Sequence, residues 1–140
     1  MNRVNKYRGM HNDEWVYGYY AVIGKRSVII KSNSESYYSV GENLRKRSGN
    51  EIVDVKADTV GQYIGVDDKN GKEIYEDDIV LSDDGKVGQV QWFEEHLAFM
   101  IWCVTDNKVY FAYDNDFSKI EVIGNLYENA DLLKEVEISE

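Results

Sequence analysis

A turn cluster near the middle of the chain separates two apolar segments. It reads D-D-K-N-G over residues 67–71 and lies within the stretch from residue 60 to residue 80. Asn70 and Gly71 both tolerate a positive φ, and Asn-Gly is the strongest short-range signal for a β-hairpin. The acidic run at residues 76–78 also lies between apolar residues, so we interpret it as a turn rather than a helix. The stretch therefore predicts antiparallel strands.

Short apolar segments continue through the second half of the chain. We predict strands at residues 78–81, 86–93, 97–105, 109–113 and 119–123, with the most apolar segment, 97–105, as the central strand. Asp84-Gly85 is placed for a type I′ turn between the first two. Strands at such spacing, joined by short polar turns, indicate a small barrel or sandwich. Asn129 is predicted to cap a short C-terminal helix over residues 130–136.

The first half of the chain carries fewer apolar residues in regular alternation. Residues 15–31 predict a hairpin, residues 32–39 a polar connection, and residues 57–63 a short helical turn. For residues 40–48 a surface helical turn and a loop both fit, and we favour the loop. The predicted fold class is mainly β (β-rich α+β). We expect a single domain over residues 1–140, with an N-terminal hairpin lobe (1–56) and an SH3-like, barrel-like lobe with the C-terminal helix (57–140).

Charge is distributed unevenly along the chain. The net charge is −10, yet residues 1–50 contain nine Lys and Arg against four Asp and Glu. Such asymmetry is typical of a nucleic-acid surface or an acidic interaction face. Alternatively, the two halves neutralise each other within a monomer or across a subunit contact, because charge distribution affects association rather than fold.

The basic residues of the first half cluster around two neighbouring tyrosines. Aromatic rings that stack on bases, flanked by cations, are typical of proteins that bind single strands. Because the chain as a whole is strongly acidic, we expect its non-specific affinity for nucleic acid to be weak. The candidate nucleic-acid-binding residues are Lys25, Arg26, Tyr37, Tyr38, Arg45, Lys46 and Arg47.

The cysteine content and the terminus indicate a compartment. Cys103 is the only cysteine, so an intramolecular disulfide and a cysteine-based zinc site are both excluded, which suits a reducing cytosol. The polar N-terminus predicts no signal peptide, and the apolar run at residues 97–104 is too short to span a bilayer. We expect a cytoplasmic protein that does not enter a membrane.

Three groups of side chains are candidates for metal binding or catalysis. The acidic residues between 73 and 84 offer oxygen ligands to a hard cation, but without the spacing of a calcium loop. Glu73 and Glu76 would act as an acid–base pair only in a cleft that raises one pKa. Cys103 would need His11 or His96 as a base, although a cysteine in an apolar strand behaves as a small hydrophobe. We therefore expect no enzymatic activity, no metal and no cofactor.

Five segments resemble a known family along nearly the whole chain. They are K-Y-R-G at residues 6–9, W-V-Y-G-Y at 15–19, T-V-G-Q-Y-I-G at 59–65, D-K-N-G-K-E-I-Y-E-D-D-I-V at 68–80 and V-I-G-N-L-Y-E-N at 122–129. The sequence is similar in these segments to the YopX family of phage and prophage proteins. The resemblance implies a β-rich fold and a host-cytoplasm setting, and it transfers no catalytic or binding residues. Asp77 departs from the glycine usual in the family, but Asp tolerates left-handed backbone better than most residues.

The resemblance and the composition together favour a function through contacts. Tyrosine and tryptophan are enriched at protein interfaces, and the chain contains 11 Tyr and 3 Trp. Strand-rich domains have edges that oligomerisation can cover. We predict a non-enzymatic phage or prophage accessory protein that acts by protein–protein interaction or self-assembly, as a homo-oligomer or with a host or phage protein. The alternative is a nucleic-acid-binding module that uses the basic N-terminal half.

Overall fold

A computed structural model describes residues 6–111 and 119–133. For residues 32–38, 46–50 and 111 it describes the backbone only. The chain divides into two compact units. Within the described residues, the N-terminal unit ends at Gly61 and the C-terminal unit begins at Gln62. Each unit is built from antiparallel strands, which confirms the mainly β fold class.

The N-terminal unit is an antiparallel meander in the spatial order β4-β3-β2-β1. Its elements are β1 (Tyr7–His11), β2 (Glu14–Ile23), β3 (Arg26–Val40), β4 (Asn43–Asp54) and a short 3-10 helix (Ala57–Thr59). His11 pairs with Glu14 across the first turn, whose two central residues, Asn12 and Asp13, have φ of 49° and 66°. Two successive positive φ values define a type I′ turn, which matches the twist of the strands that it joins.

The predicted hairpin at residues 15–31 is present as β2 and β3, but the prediction for residues 32–48 was wrong. These residues extend β3 and begin β4, paired from Lys31↔Glu51 to Val40↔Asn43. One extra residue in β3 between Lys31 and Ser34 makes a bulge, and β4 continues regularly opposite it. The segment forms a ladder without an alternating apolar pattern in its sequence, because backbone hydrogen bonds between the strands do not depend on side-chain type.

The C-terminal unit holds a five-stranded antiparallel sheet in the order β10-β9-β8-β7-β11. Its strands are β5 (Gly61–Asp67), β6 (Glu73–Tyr75), β7 (Asp78–Ser82), β8 (Val87–Phe93), β9 (Ala98–Cys103), β10 (Lys108–Phe111) and β11 (Ile120–Asn125). β5 and β6 pair antiparallel with each other. The five predicted strands correspond to β7–β11, although β8 rather than β9 lies in the middle. Residues 112–113 of the fourth prediction lie outside the described ranges, and closure into an SH3-like barrel stays a prediction.

One apolar cluster holds the C-terminal unit together. Partly buried side chains of β5 and β9 pack against a buried group from five strands. Complete burial of one aliphatic side chain contributes about 1.5–3 kcal/mol. The buried members are Ile74, Val80, Val90, Ile101, Ile120 and Val122, and the partly buried ones are Ile64, Val66 and Phe99.

The two glycine-containing turns of this unit differ from the type I′ prediction. Gly71 N–H donates to Asp68 O at 3.0 Å and Gly85 N–H donates to Ser82 O at 3.0 Å, with φ of 80° and 88° at the glycines. Neither Asn70 nor Asp84 has a positive φ. Both turns are therefore three-residue loops, a type I turn followed by a left-handed glycine, and the extra residue relieves the need for two left-handed residues in succession.

The predicted left-handed conformation at Asp77 is confirmed, with φ of 69°. The chain ends in the helix α1 (Leu126–Asn129), and residues 131–133 are also helical. Asn125, not Asn129, caps α1: its side-chain oxygen accepts hydrogen bonds from Tyr127 N–H and Glu128 N–H, both at 3.0 Å. The predicted cap was wrong because β11 runs directly into the helix, four residues before the expected start. Residues 134–136 of the predicted helix lie outside the described ranges.

Candidate functional site

A row of large apolar side chains crosses the sheet of the N-terminal unit and faces solvent. The register places Tyr19 opposite Ile30, and Ile30 opposite Ile52, on three adjacent strands. Tyr19 is 54% exposed and Ile52 is 52% exposed, while Ile30 between them is half-buried. Residues that are directly opposite in an antiparallel ladder share a face of the sheet, so the three form one continuous patch. We call Tyr19, Ile30 and Ile52 the apolar row.

The candidate nucleic-acid-binding residues lie at two ends of the same hairpin. Lys25 and Arg26 are at the turn between β2 and β3, whereas the backbone register places Tyr37 opposite Lys46 and Tyr38 opposite Arg45 near the other end of β3. At about 3.3 Å per residue, roughly 35 Å of strand separates the two groups. Arg47 pairs with Ser36 in the second group. The structure therefore brings Tyr37, Tyr38, Arg45, Lys46 and Arg47 together and sets Lys25 and Arg26 apart from them.

Arg26 is also engaged by an acid of its own unit. Its Nε donates to Asp54 Oδ1 at 2.9 Å and its second guanidinium nitrogen donates to Asp54 Oδ2 at 3.2 Å. This paired hydrogen bond raises the pKa of Arg26 and lowers the pKa of Asp54. A phosphate would have to compete with this carboxylate, so Arg26 is a poor contributor to a nucleic-acid surface.

The acidic residues between 73 and 84 are dispersed into separate hydrogen bonds. Asp78 accepts from Tyr75 N–H at 2.7 Å, and Asp77 accepts from Gln89 Nε2 at 3.2 Å and from Tyr127 Oη at 2.8 Å. Asp84 accepts from the hydroxyl of Ser82. Within residues 6–111 and 119–133, no group of three or more His, Cys, Asp or Glu side chains could hold a metal ion.

The two glutamates considered as an acid–base pair have different surroundings. Glu73 accepts a hydrogen bond from Tyr75 Oη at 3.1 Å. Burial, and then the neighbouring charge of Asp77, raise the pKa of Glu76 above its usual value. This raised pKa favours the protonated form of Glu76.

A pocket of about 220 Å³ lies against the sheet of the C-terminal unit. Its floor is apolar, formed by Val80, Ile101, Cys103 and Ile120, and its rim includes charged and polar side chains. A concave apolar surface with a few polar groups is the usual form of a small-molecule site, but this volume is below the typical range of about 300–1,000 Å³.

The rim of this pocket carries a closed charged cluster. Lys86 Nζ lies 3.4 Å from Asp106 Oδ2 and 3.7 Å from Asp84 Oδ2, and Tyr110 Oη donates to Asp106. That hydrogen bond is the main cause that lowers the pKa of Asp106 to about 2, and it raises the pKa of Tyr110. The charge on Tyr110, and then Asp106, raise the pKa of Lys86. Asp106 is therefore ionised at neutral pH, while Tyr110 and Lys86 stay protonated.

The cysteine and one of the candidate histidines have partners other than each other. Cys103 is buried in β9, and its side chain is one of the causes that lower the pKa of Asp106. His11 Nδ1 lies 2.8 Å from the backbone oxygen of Asp54 in the N-terminal unit. His96 is exposed in the turn before β9. The Cys103 environment is that of a small buried residue of the sheet.

Asp68 was interpreted from the sequence only as a turn residue, and the structure gives it a wider role. One carboxylate oxygen accepts from Asn70 N–H at 2.9 Å and Lys72 N–H at 2.8 Å, and the other accepts from Val122 N–H at 2.9 Å. Burial alone would raise the pKa of Asp68, but these three donors outweigh burial and lower it. The partner in β11 is distant in sequence, so only the turn itself could have been inferred.

The fold and these surfaces define a β-rich protein of two units with an exposed apolar row. The chain belongs to the YopX family, because the model of that family, described as YopX protein, matches residues 6–134. The resemblance found in the sequence is thereby confirmed.

A solved structure is also similar to the chain. The X-ray crystal structure of protein yopX from Bacillus subtilis is 22% identical and covers 91% of this chain and 96% of its own, with a TM-score of 0.49. No curated protein matches the sequence significantly. Among the helices in the described part of the chain, none has the length and hydrophobicity needed to cross a bilayer.

Proposed function

We propose that this YopX family protein is a non-enzymatic phage or prophage accessory protein that works by contacting other proteins in the bacterial cytoplasm. Self-assembly is one form of such contact. The observation that carries the proposal is the exposed apolar row of Tyr19, Ile30 and Ile52. Exposed apolar residues that lie together, rather than singly, mark interaction surfaces.

Other exposed side chains of the same sheet extend this surface. Tyr17 precedes Tyr19 by two residues on β2 and is 45% exposed, so it lies on the same face. Tyrosine is enriched at the centre of protein interfaces, because its ring buries a large area while its hydroxyl finds a polar partner.

A second candidate function is a nucleic-acid-binding module. It is supported by the backbone register that places Tyr37 opposite Lys46 and Tyr38 opposite Arg45. It is weakened by the separation of Lys25 and Arg26 from that group and by the ion pair of Arg26 with Asp54. We therefore rank it second.

The test is an affinity capture from bacterial lysate with tagged protein, with and without nuclease, analysed by mass spectrometry and by absorbance ratio. The variant Tyr19→Thr with Ile52→Thr removes the exposed bulk while keeping residues suited to strands. Leu97→Asn is the matched control, because it removes a side chain that is 73% exposed in the other unit.

The proposal expects a defined protein, another copy of the chain included, that is captured regardless of nuclease, lost with the Tyr19 and Ile52 variant and kept with Leu97→Asn. Capture of nucleic acid that disappears at high salt would instead support the second candidate, because electrostatic complexes weaken steeply with salt. Capture of a protein that survives the Tyr19 and Ile52 substitutions would show that the apolar row is not the contact surface.

A further inference from the structure

We propose that β4 pairs antiparallel with β4 of a second copy of this chain, about a two-fold axis at Ser48. The inference rests on the proposed function, of which it specifies the self-assembling form. β4 (Asn43–Asp54) ends the strand order of its sheet and pairs on one side with β3. A strand in this position presents a row of backbone donors and acceptors that another strand can extend.

The geometry of antiparallel pairing limits where the axis can lie. Residues directly opposite each other both turn their backbone N–H and C=O groups toward the partner, or both turn them away, and this alternates along a strand. When a strand pairs with its own copy, opposite residues are therefore separated in sequence by an even number of positions. The two-fold axis then passes midway between one residue and the same residue of the second copy. The bulge of this hairpin lies in β3, so β4 keeps a regular alternation. Ser48 and Gly49 are the central positions of β4.

The axis at Ser48 gives complementary pairs on the described side chains. It places Arg45 opposite Glu51 of the second copy and Leu44 opposite Ile52 of the second copy, each pair occurring twice by symmetry. Leu44 is 71% exposed and Ile52 is 52% exposed, so both would bury apolar surface. Opposite charges and apolar pairs directly across a ladder are the contacts that stabilise a sheet.

The neighbouring arrangements are less favourable. An axis at Gly49 also forms an ion pair, since it places Arg47 opposite Glu51. It forms no apolar pair, however, because Leu44 then lies opposite Asp54 and Ile52 opposite Lys46. Parallel pairing of the two copies brings the basic run at residues 45–47 of each chain side by side, where like charges repel. Glu51 lies 3.8 Å from Lys31 of its own chain, and its side chain is 57% exposed.

The experiment is a charge exchange read by sedimentation equilibrium and native mass spectrometry. Arg45→Glu and Glu51→Arg each place like charges opposite each other at two symmetric positions. Each single variant is expected to raise the dimer dissociation constant about tenfold or more, because two favourable pairs become repulsive. Lys25→Glu changes the net charge as Arg45→Glu does, at the other end of the hairpin, and is expected to leave the constant unchanged.

An equimolar mixture of the two single variants separates a specific contact from general damage. In the mixed dimer the glutamate introduced at position 45 of one chain faces the arginine introduced at position 51 of the other. The unsubstituted Arg45 and Glu51 face each other at the symmetric position, so both ion pairs are restored and a heterodimer of near wild-type affinity is expected. The double variant Arg45→Glu with Glu51→Arg should restore the homodimer in the same way. Circular dichroism of each single variant checks that the strands are intact.

Four results would overturn the inference. The first three are a monomeric wild-type chain, single variants that dimerise as well as the wild type, and folded single variants whose mixture forms no heterodimer. A larger species that contains nucleic acid and disappears after nuclease would do the same. A monomeric chain that still captures a protein through Tyr19 and Ile52 would overturn this inference alone. If charge exchange restores the dimer but no other protein is captured, the inference holds. Self-assembly would then be the one protein contact of the chain.

Discussion

The carboxylate of Asp68 accepts a hydrogen bond from the backbone N–H of Val122 at 2.9 Å, across 54 residues of sequence. The same carboxylate holds the loop between β5 and β6 through Asn70 and Lys72. One buried side chain therefore fixes the turn and attaches it to β11 of the large sheet. Buried backbone donors that lose their acceptor cost free energy, so this residue is the first target for substitution.

Asp68→Asn should lower the free energy of unfolding by roughly 2 kcal/mol, because an amide cannot accept all three hydrogen bonds and would point a donor at one of them. Urea unfolding at neutral pH measures this loss. Asp67→Asn, one residue earlier and exposed, is the matched control and should cost far less. An Asp68→Asn chain as stable as the wild type would show that water replaces the carboxylate without cost.

The same residue predicts a pH dependence with a defined sign. The folded-state pKa of Asp68 lies below its usual value of 3.8, so the unfolded chain binds more protons in acid. The contribution of the ionised Asp68 carboxylate to the free energy of unfolding is present above the pKa that Asp68 has in the unfolded chain. It is lost as the pH falls through the pKa that Asp68 has in the folded chain. The gap in unfolding free energy between wild type and Asp68→Asn should therefore narrow in acid. A gap that stays constant from neutral pH into strong acid would contradict the ionised carboxylate.

The local pattern of apolar residues predicts some strands of the fold and not others. The strands from β7 to β11 were predictable because their buried side chains, such as Val90 and Ile101, lie in short apolar segments between turn residues. The extension of β3 and β4 was not, because residues 32–48 show no regular alternation of apolar and polar side chains. The role of Asp68 depends on Val122, and the apolar row depends on three strands coming together. Both require tertiary pairing that no local window contains.

Asp77 offers a test of a left-handed backbone position that the family usually fills with glycine. Its φ is 69°, and its carboxylate accepts from Gln89 and Tyr127. Asp77→Gly and Asp77→Ala both lose these hydrogen bonds, but only glycine adopts this φ without strain. We expect Asp77→Gly to be more stable than Asp77→Ala by about 1 kcal/mol in urea unfolding. Equal stabilities would mean that the turn rearranges when the carboxylate is removed.

Leu97 lies in the turn before β9 with φ of 49°, and its side chain is 73% exposed. A leucine in the left-handed region has a steric cost, and one that is mostly exposed recovers little through burial. Leu97→Asn should therefore raise the free energy of unfolding by about 1 kcal/mol, because Asn adopts this conformation more readily. Thermal unfolding of the two chains at one pH measures the gain. Leu97→Val supplies the opposite test, since a β-branched residue at this φ should lower the melting temperature.

Tyr63 links the ladder of β5 and β6 to alkaline stability. Its hydroxyl donates to Asp67 Oδ1 at 2.7 Å, and its ring lies 5.6 Å from that of Tyr75. Burial, and then this hydrogen bond, raise the pKa of Tyr63 from 10.0 to about 12. The folded chain therefore holds this proton more tightly than the unfolded chain. The contribution to stability is full below pH 10 and is lost as pH rises through about 12.

Tyr63→Phe keeps the ring contact and removes the titration, so its stability should fall less than that of the wild type between pH 10 and 12. Urea unfolding across this interval measures the difference, in which the titration of all other groups cancels. Asp67→Asn should give an intermediate slope, because it removes the charged acceptor and leaves the burial of Tyr63 in place. If wild type and Tyr63→Phe lost stability in parallel, the hydroxyl would be ionising in the folded chain as readily as in the unfolded one, and burial in β5 would not control its proton.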